Sequence, residues 1–433
     1  MKHQLLYSML RQEAGYAVGC TEPAMVALAA AKAVEILEQE PERLKVVVSP
    51  AIYKNARAVG IPNTKGKGLN LAAAIGAVVG DASRGLCIFD GLEPDKEKKA
   101  QWMVANNAVE VSCNWEETGV YARAEAIKGK ESAEVVLKGS HKLFRTIRKN
   151  GILTMPGYKD INRDEELVPL ELLKEVSYFE LLNMVFKLDT EELAYLEKGA
   201  RDIAEFAQQV LAQKQPSLAG LGPAYQDIIS EGIIGNDLLR TVRILTSTAV
   251  SERMAGVVYP VLTSTGSGNN GILVGIPLAV LIDFLQPPRE KAVLAVALAH
   301  FTNMYIKAFS GKVSPLCGAV TGGAGVAAAA CWLLGGNLDA IGHAVEIVLA
   351  NISLMICDGA KISCAYKLGT AAEEAVIAAL MASKGNYLDA YQGVVMADVD
   401  ETIKMVGHLA AKGLHDIDYL LLSQADNVKK KLS

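Results

Sequence analysis

Three cysteines in the C-terminal half of the chain, Cys317, Cys357 and Cys364, could together bind an iron–sulfur cluster, and each has small or polar residues beside it. Three thiolates can hold three irons of such a cluster and leave one iron open. An open iron is a Lewis acid, which indicates an enzyme rather than an electron carrier. The spacing alone allows three buried, unreactive cysteines equally well, because one gap is long and no C-x-x-C is present.

A fourth cysteine, Cys20, lies at the predicted start of a helix, in the segment Gly19-Cys20-Thr21-Glu22-Pro23. Thr21 is the predicted N-cap and Pro23 falls in the first turn. The helix N-terminus is expected to lower the pKa of the thiol and favour the thiolate. Cys20 could then act as a base, a nucleophile or a fourth cluster ligand. The alternative is a small residue beside the cap with no chemical role.

The loop at residues 265–271, Thr-Gly-Ser-Gly-Asn-Asn-Gly, is the most polar segment within an apolar region. Its glycines let backbone N–H groups approach an anion, and its Ser and Asn side chains can donate hydrogen bonds. An α-carboxylate suits the N-terminus of the helix that follows. An ordinary helix–helix connection or a phosphate site remains open. The loop matches neither a Walker A motif nor a dinucleotide fingerprint.

Two lysines and one histidine are further candidates for the site. Lys361 lies between two of the cysteines and Lys312 precedes the first of them, so either could neutralise a cluster or bind a carboxylate. A solvated lysine is the usual alternative. His141 follows a predicted strand and could shuttle protons, although a surface histidine satisfies the same pattern.

The elements that must position these residues are mostly helical. Residues 1–40 are predicted to form helices, and from about residue 220 long apolar helices alternate with Gly-rich polar loops. Between them, β-branched and alternating segments predict strands. The fold class is therefore mainly α with an inserted α/β or α+β unit. The predicted parts are N-terminal helices (1–42) that pack on the C-terminal helical domain, a small α/β unit (43–160) and an all-α catalytic domain (161–433).

Composition excludes several classes of protein. The 433-residue chain has a net charge of only −5, which does not favour nucleic-acid binding. The seven cysteines are scattered, and the N-terminus lacks a signal-peptide pattern, so a reducing cytoplasm fits best. The longest apolar run, residues 313–338, contains a proline and six glycines and is interpreted as a buried segment, not a membrane span. No convincing pyridoxal-phosphate lysine or G-x-S-x-G elbow is present.

Four short motifs occur together and in order: Gly19-Cys20-Thr21-Glu22-Pro23, Ser267-Gly268-Asn269-Asn270-Gly271, Ser314-Pro315-Leu316-Cys317-Gly318 and Ile356-Cys357-Asp358-Gly359-Ala360-Lys361. With them the chain resembles, over nearly its whole length, the L-cysteine desulfidase family. That family is related to the alpha chain of bacterial iron–sulfur L-serine dehydratase. The resemblance implies a C-terminal domain of the serine dehydratase alpha type.

The resemblance also implies a site and a reaction. Cys317, Cys357 and Cys364 would hold a 4Fe-4S cluster, and Cys20 would be the additional functional cysteine. The implied reaction is elimination of L-cysteine to pyruvate, ammonia and hydrogen sulfide without pyridoxal phosphate. The beta-chain motif Ser-Ser-His-Thr is absent, and Lys142-Leu143 follows His141 where the family has Thr-Asn. The expected substrate-binding residues are Thr265, Gly266, Ser267, Gly268, Asn269, Asn270, Lys312, Lys361 and His141.

Other functions remain open from the sequence. The relatives eliminate water from L-serine, so L-serine dehydratase is the alternative enzyme. A cluster-free protein that binds an amino acid through the 265–271 loop, or a membrane transporter, belongs to a different class. The expected partner is a small amino-acid substrate, with no nucleic acid and no membrane. Helices rich in small residues are compatible with a homodimer.

Overall fold

The structure is a computed structural model that describes residues 3–156, 168–235 and 237–432. It is 59% helical and contains a mixed six-stranded sheet, which confirms the expected fold class, mainly α with an α+β unit. The predicted boundary between residues 160 and 161 lies outside the described residues. The division into three domains stays a prediction.

The helices and strands follow one another along the chain in the order expected for a sheet unit set within a helical protein. The first group of elements is α1 (His3–Glu13), β1 (Tyr16–Val18), α2 (Thr21–Leu37), β2 (Arg43–Val48), α3 (Pro50–Ala56), α4 (Leu69–Val79), α5 (Pro94–Ala105), β3 (Val109–Cys113), β4 (Tyr121–Lys128), β5 (Glu131–Lys138), β6 (Phe144–Lys149) and β7 (Ile152–Pro156). The second group is α6 (Tyr178–Val185), α7 (Thr190–Leu211), α8 (Leu221–Ser230), α9 (Leu238–Ala255), β8 (Pro260–Leu262), α10 (Gly268–Leu285), α11 (Arg289–Ser310), α12 (Gly318–Leu333), α13 (Leu338–Ile352), α14 (Cys364–Ser383), α15 (Val399–His408) and α16 (Ile417–Leu432).

The sheet has the strand order β3-β2-β4-β5-β6-β7, and its strands are antiparallel except for the parallel pair β2 and β3. Residues of β2 and β5 alternate between buried and more exposed positions, as expected for strands with one face on a core. Gly129 has φ 55° in the turn that joins β4 to β5, a conformation that glycine adopts without strain. One face of the sheet is therefore available for helices.

Helix α2 covers the inner face of that sheet, and residues 24–31 within it are all buried. Gly76 allows α4 to approach α2 closely, because a Cβ at this position would lie 2.0 Å from the Ala27 carbonyl oxygen. The two N-terminal helices therefore differ from the expectation that residues 1–42 pack on the C-terminal helices. Only α1 packs there, through Leu6 and Met9, whereas α2 lies in the core of the sheet unit. Their similar apolar composition does not distinguish the two cores.

The remaining helices form a second core around α11, α12 and α14. Two of its helices, α10 and α11, are long and apolar enough to cross a membrane, but 72% and 89% of their most apolar windows are buried within the protein. Such burial is expected of core helices in a globular protein. The apolar run at residues 313–338 is divided between a loop, α12 and a second loop, as its proline and glycines predict.

A two-stranded sheet connects the N-terminal segment to this helical core. Strand β1 pairs antiparallel with β8, and the backbone N–H of Thr263 donates to the carbonyl of Gly15 at 2.8 Å. These hydrogen bonds bring the start of α2, with Cys20, beside the polar loop at residues 265–271. Residues more than 240 positions apart in sequence thereby face one another.

Candidate active site

A partly enclosed cavity of about 90 Å³ lies between the sheet unit and the helical core. This volume is several times the minimum that one water molecule needs, so the cavity has room for a small ligand. Most of the predicted site residues line this cavity: Cys20, His141, Thr265, Ser267, Asn269, Asn270, Lys312, Cys317, Cys357 and Cys364. Gly266, Gly268 and Lys361 are not among the described lining residues.

The three C-terminal cysteines reach the cavity from two short segments that pair with each other. The backbone N–H of Cys317 donates to the carbonyl of Met355 at 2.9 Å, and that of Cys357 donates to Pro315 at 2.7 Å. These bonds hold Cys317 and Cys357 on either side of an isolated bridge between Leu316 and Ile356. Cys364 enters the same cavity as the first residue of α14. A gap of forty residues in sequence is thus closed by backbone pairing.

The three thiols are the donors that this cavity offers to a polynuclear metal centre. Burial, followed by the nearby Cys357 and Cys364 thiols, raises the pKa of Cys317 to about 12, so the three sulfurs influence one another across the cavity. Among the described residues, however, no three His, Cys, Asp or Glu side chains are grouped to hold one ion. In an iron–sulfur cluster each thiolate binds a different iron, so this donor set suits a cluster.

The charges that line the cavity also suit an anionic content. The cationic side chains on its wall are Arg253, Lys307 and Lys312, and the described anionic side chain on the wall is Glu22. Lys312 forms an ion pair with Glu13 just behind the wall. Both cluster thiolates and a substrate carboxylate are stabilised by such an excess of positive charge.

Lys361 differs from its predicted role. Its ammonium lies 2.8 Å from Asp358, whose other carboxylate oxygen lies 2.5 Å from Lys367. Burial raises the pKa of Asp358, but hydrogen bonds from the two lysines outweigh this and lower it to about 2. The three side chains brace the loop between Cys357 and Cys364 instead of facing the cavity.

The expectation of a Cys20 thiolate is wrong. Burial first, and the negative charge of Glu22 second, raise the pKa of this thiol well above its ordinary value. The thiol donates a hydrogen bond to Glu22 Oε2 at 3.0 Å. Thr21 is also not the N-cap: Cys20 occupies that position without a side-chain cap, and Thr21 Oγ1 donates to Glu22 at 3.1 Å. Burial and the negative charge of Glu22 therefore outweigh the effect of the helix N-terminus on this thiol.

Glu22 is the anion at the centre of this wall. In addition to the hydroxyl and thiol contacts, it accepts a hydrogen bond from Asn55 Nδ2 at 3.0 Å. Burial raises the pKa of Glu22, but His141 and these hydrogen bonds outweigh it, so the net shift is downward. The carboxylate is therefore ionised within a buried site.

His141 is buried and not on the surface. Burial lowers the pKa of its imidazole, with the Glu22 charge acting in the opposite direction, so the ring is neutral near pH 7. Its Nε2 atom is buried and has no hydrogen-bond partner among the described residues. Gly266, at φ 71°, makes room for this ring, because a Cβ there would lie 3.0 Å from His141 Nδ1. A neutral imidazole with a free ring nitrogen at a cavity can accept a proton.

The polar loop contacts two cations that the sequence does not place there. Asn269 Oδ1 accepts from Arg253 Nη1 at 2.8 Å. The Asn270 amide, oriented to satisfy both neighbours, accepts from Lys307 Nζ at 3.1 Å and donates to the Gly318 carbonyl at 3.3 Å. The two asparagines thus contact cations, and their role in substrate binding stays a prediction.

Sequence reasoning missed Glu22 as a site anion, together with Asn55, Arg253 and Lys307. A usable signal existed for the two cations. Arg253 lies in the last turn of α9 after several Ser and Thr residues, and Lys307 interrupts the apolar helix α11. A cation within a buried helix requires an anionic or polar partner, which is itself an indication of a site.

A model of the serine dehydratase alpha chain family matches residues 92–423. The chain is 43% identical over 421 residues to a UPF0597 protein of Moorella thermoacetica, with 97% of each chain covered. It is 33% identical to a UPF0597 protein of Clostridioides difficile, with 98% of this chain and 99% of the relative covered. A UPF0597 protein of Photobacterium profundum is 34% identical, with 96% of both chains covered. Cys317, Cys357 and Cys364 lie within the matched family region, whereas Cys20 and Glu22 precede it.

Proposed function

The chain belongs to the serine dehydratase alpha chain family, and on that premise we propose that it is a cytoplasmic, iron–sulfur-dependent lyase that converts L-cysteine to pyruvate, ammonia and hydrogen sulfide. The observation that carries the proposal is the convergence of Cys317, Cys357 and Cys364 on one buried, cationic cavity with His141. The family supports a serine dehydratase-like reaction. The choice of cysteine rests on the chemistry of the leaving group.

The three cysteines would hold a 4Fe-4S cluster. When bound, the cluster supplies an open iron, a Lewis acid that makes the substrate's β-substituent a better leaving group. Sulfur is a softer ligand than a hydroxyl oxygen, which favours L-cysteine over L-serine. The sulfur preference of iron thus provides the physical reason for ranking the substrates.

The protein's own residues would perform the proton transfers. His141 lines the cavity, and its Nε2 atom has no partner among the described residues. This atom takes the Cα proton, and the electron pair left on Cα forms the Cα–Cβ double bond as the C–S bond breaks. Glu22 stabilises the imidazolium by its charge, and the same proton then returns to the departing sulfide. Aminoacrylate tautomerises to an imine, and water hydrolyses the imine to pyruvate and ammonia. In this scheme Cys20 is a thiol that holds Glu22 in place, not the base.

Dehydration of L-serine is the second candidate function, and the family match favours it. It uses the same proton acceptor and the same carboxylate contacts, with water leaving instead of sulfide. The two reactions differ in one product, so they can be separated by direct measurement. Pyruvate and ammonia appear in both, and sulfide only with cysteine.

The test is an anaerobic purification followed by a visible spectrum, iron and sulfide analysis, and turnover of L-cysteine and L-serine. We expect a brown protein with about four irons per chain that releases sulfide and pyruvate in equal amounts from cysteine. Aminooxyacetate in the assay inhibits contaminating pyridoxal-phosphate enzymes. A colourless protein that stays iron-free after anaerobic reconstitution would overturn the proposal and leave a cluster-free amino-acid-binding protein.

A further inference from the structure

Two buried cations in the cavity lack a carboxylate partner among the described residues. Arg253 is 4% exposed and Lys307 is 7% exposed. Arg253 donates to the Gly19 carbonyl and to the Asn269 amide, and Lys307 donates to the Lys312 carbonyl at 2.9 Å. None of these acceptors carries a charge. A buried cation without an anion is costly, and here burial lowers the pKa of Lys307 to about 8.

Both cations are held in place by the loop at residues 265–271 and its surroundings. A Cβ at Gly268 would lie 2.4 Å from Arg253 Nη2, and a Cβ at Gly318 would lie 2.2 Å from the Asn270 amide. The glycines therefore leave space for the guanidinium and for the amide that contacts Lys307. The conformation of the loop at residues 265–271 therefore accommodates both cations.

One hydrogen-bond donor in this arrangement is unused. Arg253 Nε is buried and has no partner among the described residues, although the side chain lines the cavity. A carboxylate is the natural acceptor for a guanidinium donor, and a lysine ammonium adds a second charge-assisted contact. Glu22 acts on both cations through its charge but contacts neither of them directly. The unpaired donor and the missing carboxylate contact therefore point to an anion that enters the cavity.

We infer that Arg253 and Lys307 bind the α-carboxylate of the substrate, while Asn269 and Asn270 act behind them as positioning residues. This inference rests on the proposed function, in which the substrate is an α-amino acid. It makes the free carboxylate a requirement for binding and excludes amides and esters of the same amino acid. The loop at residues 265–271 thus contributes to substrate specificity indirectly, because it orients Arg253 and Lys307 toward the substrate carboxylate.

The experiment measures binding of L-alanine and L-alaninamide to the anaerobic holoenzyme by calorimetry. Neither compound has a β leaving group, so binding is measured without turnover. We expect wild-type protein to bind L-alanine on the order of 100-fold more tightly than the amide, the range for an unpaired buried charge. Lys307→Met and Arg253→Gln should each remove most of that preference and leave the affinity for L-alaninamide nearly unchanged. Lys307→Met removes a buried charge without changing the side-chain shape, so it should fold.

Lys361→Gln is the matched control, because this lysine is close to two cluster cysteines but pairs with Asp358 outside the cavity. It should retain the full preference for L-alanine. Iron content is measured for every variant. If the Lys307 and Arg253 variants lose iron but keep the preference for L-alanine, the cations serve the cluster and the inference is wrong.

Failure of this inference differs from failure of the proposed function. A wild-type protein that prefers L-alanine over its amide but turns over neither cysteine nor serine keeps the carboxylate site and loses the proposed reaction. A protein that turns over cysteine but binds L-alanine and L-alaninamide equally loses the carboxylate site alone.

Discussion

Asp418→Asn should destabilise the protein more than any ordinary surface substitution. Lys54 Nζ lies 2.6 Å from Asp418 Oδ1, and the Lys54 side chain is only 2% exposed. The same ammonium donates to the carbonyl of Cys357 at 2.8 Å. Replacing the carboxylate by an amide leaves a buried ammonium that has only neutral acceptors, the Cys357 carbonyl and the amide oxygen. We expect a loss of about 3 kcal/mol in the free energy of unfolding, the lower end of the range for a broken buried pair, because the Asp418 side chain is 15% exposed.

Substitution of the other partner, Lys54, should reduce the free energy of unfolding by less. Lys54→Met leaves Asp418 near solvent and removes one hydrogen bond from the Cys357 carbonyl, which should cost about 1–2 kcal/mol. Lys54→Met combined with Asp418→Leu removes both charges and should recover most of the loss. This asymmetry distinguishes a buried charge that needs its partner from a pair that merely adds attraction.

Urea unfolding followed by circular dichroism measures these free energies, and bleaching of the visible spectrum in air measures the lifetime of a bound cluster. Asp418→Asn should shorten that lifetime, because Lys54 also contacts the backbone of Cys357, a proposed cluster ligand. Asp95→Asn is the control, since the Lys98–Asp95 pair is highly exposed and should contribute at most about 0.5 kcal/mol. If Asp418→Asn costs no more than this control, or if Lys54→Met costs as much as Asp418→Asn, the reasoning is refuted.

Three further predictions concern the cysteines, the proton acceptor and acid stability. Cys317→Ala should abolish iron binding after anaerobic reconstitution. Cys331 is a buried cysteine within α12, and Cys331→Ala should retain iron binding. Equal iron content in the two variants would exclude Cys317 as a ligand. His141→Gln should lower kcat by at least about 100-fold with little change in KM, and unchanged kcat would identify another base. Burial lowers the pKa of His300 to about 4. Between about pH 6.5 and 4 the unfolded chain therefore binds a proton at this residue that the folded chain does not bind. The free energy of unfolding should fall by up to about 3 kcal/mol as the pH drops through that window. Urea titrations of cluster-free protein at pH 7.5 and 4.5 should show this loss reduced in His300→Gln, and an identical loss in both proteins would contradict it.

Much of the secondary structure was predictable because it depends on short-range patterns. The β-branched run at residues 44–49 predicts a strand, and so do the alternating segments at 120–127 and 132–137. The structure has β2, β4 and β5 at these positions. Alternation of side chains in a strand and helix periodicity are local properties of the chain. The packing of α2 was not predictable in the same way, because an alanine-rich helix fits the sheet and the helical bundle equally well.

The sequence by itself determined the chemistry available to the site: the thiols of Cys317, Cys357 and Cys364, the imidazole of His141 and the Gly-rich polar loop. Tertiary structure alone decided the protonation states and the partners. Burial and Glu22 keep Cys20 a thiol, Asp358 removes Lys361 from the cavity, and Arg253 and Lys307 enter it. The reason is physical: burial and the distance between charges depend on which distant segments pack together, and a local pattern of residues contains neither.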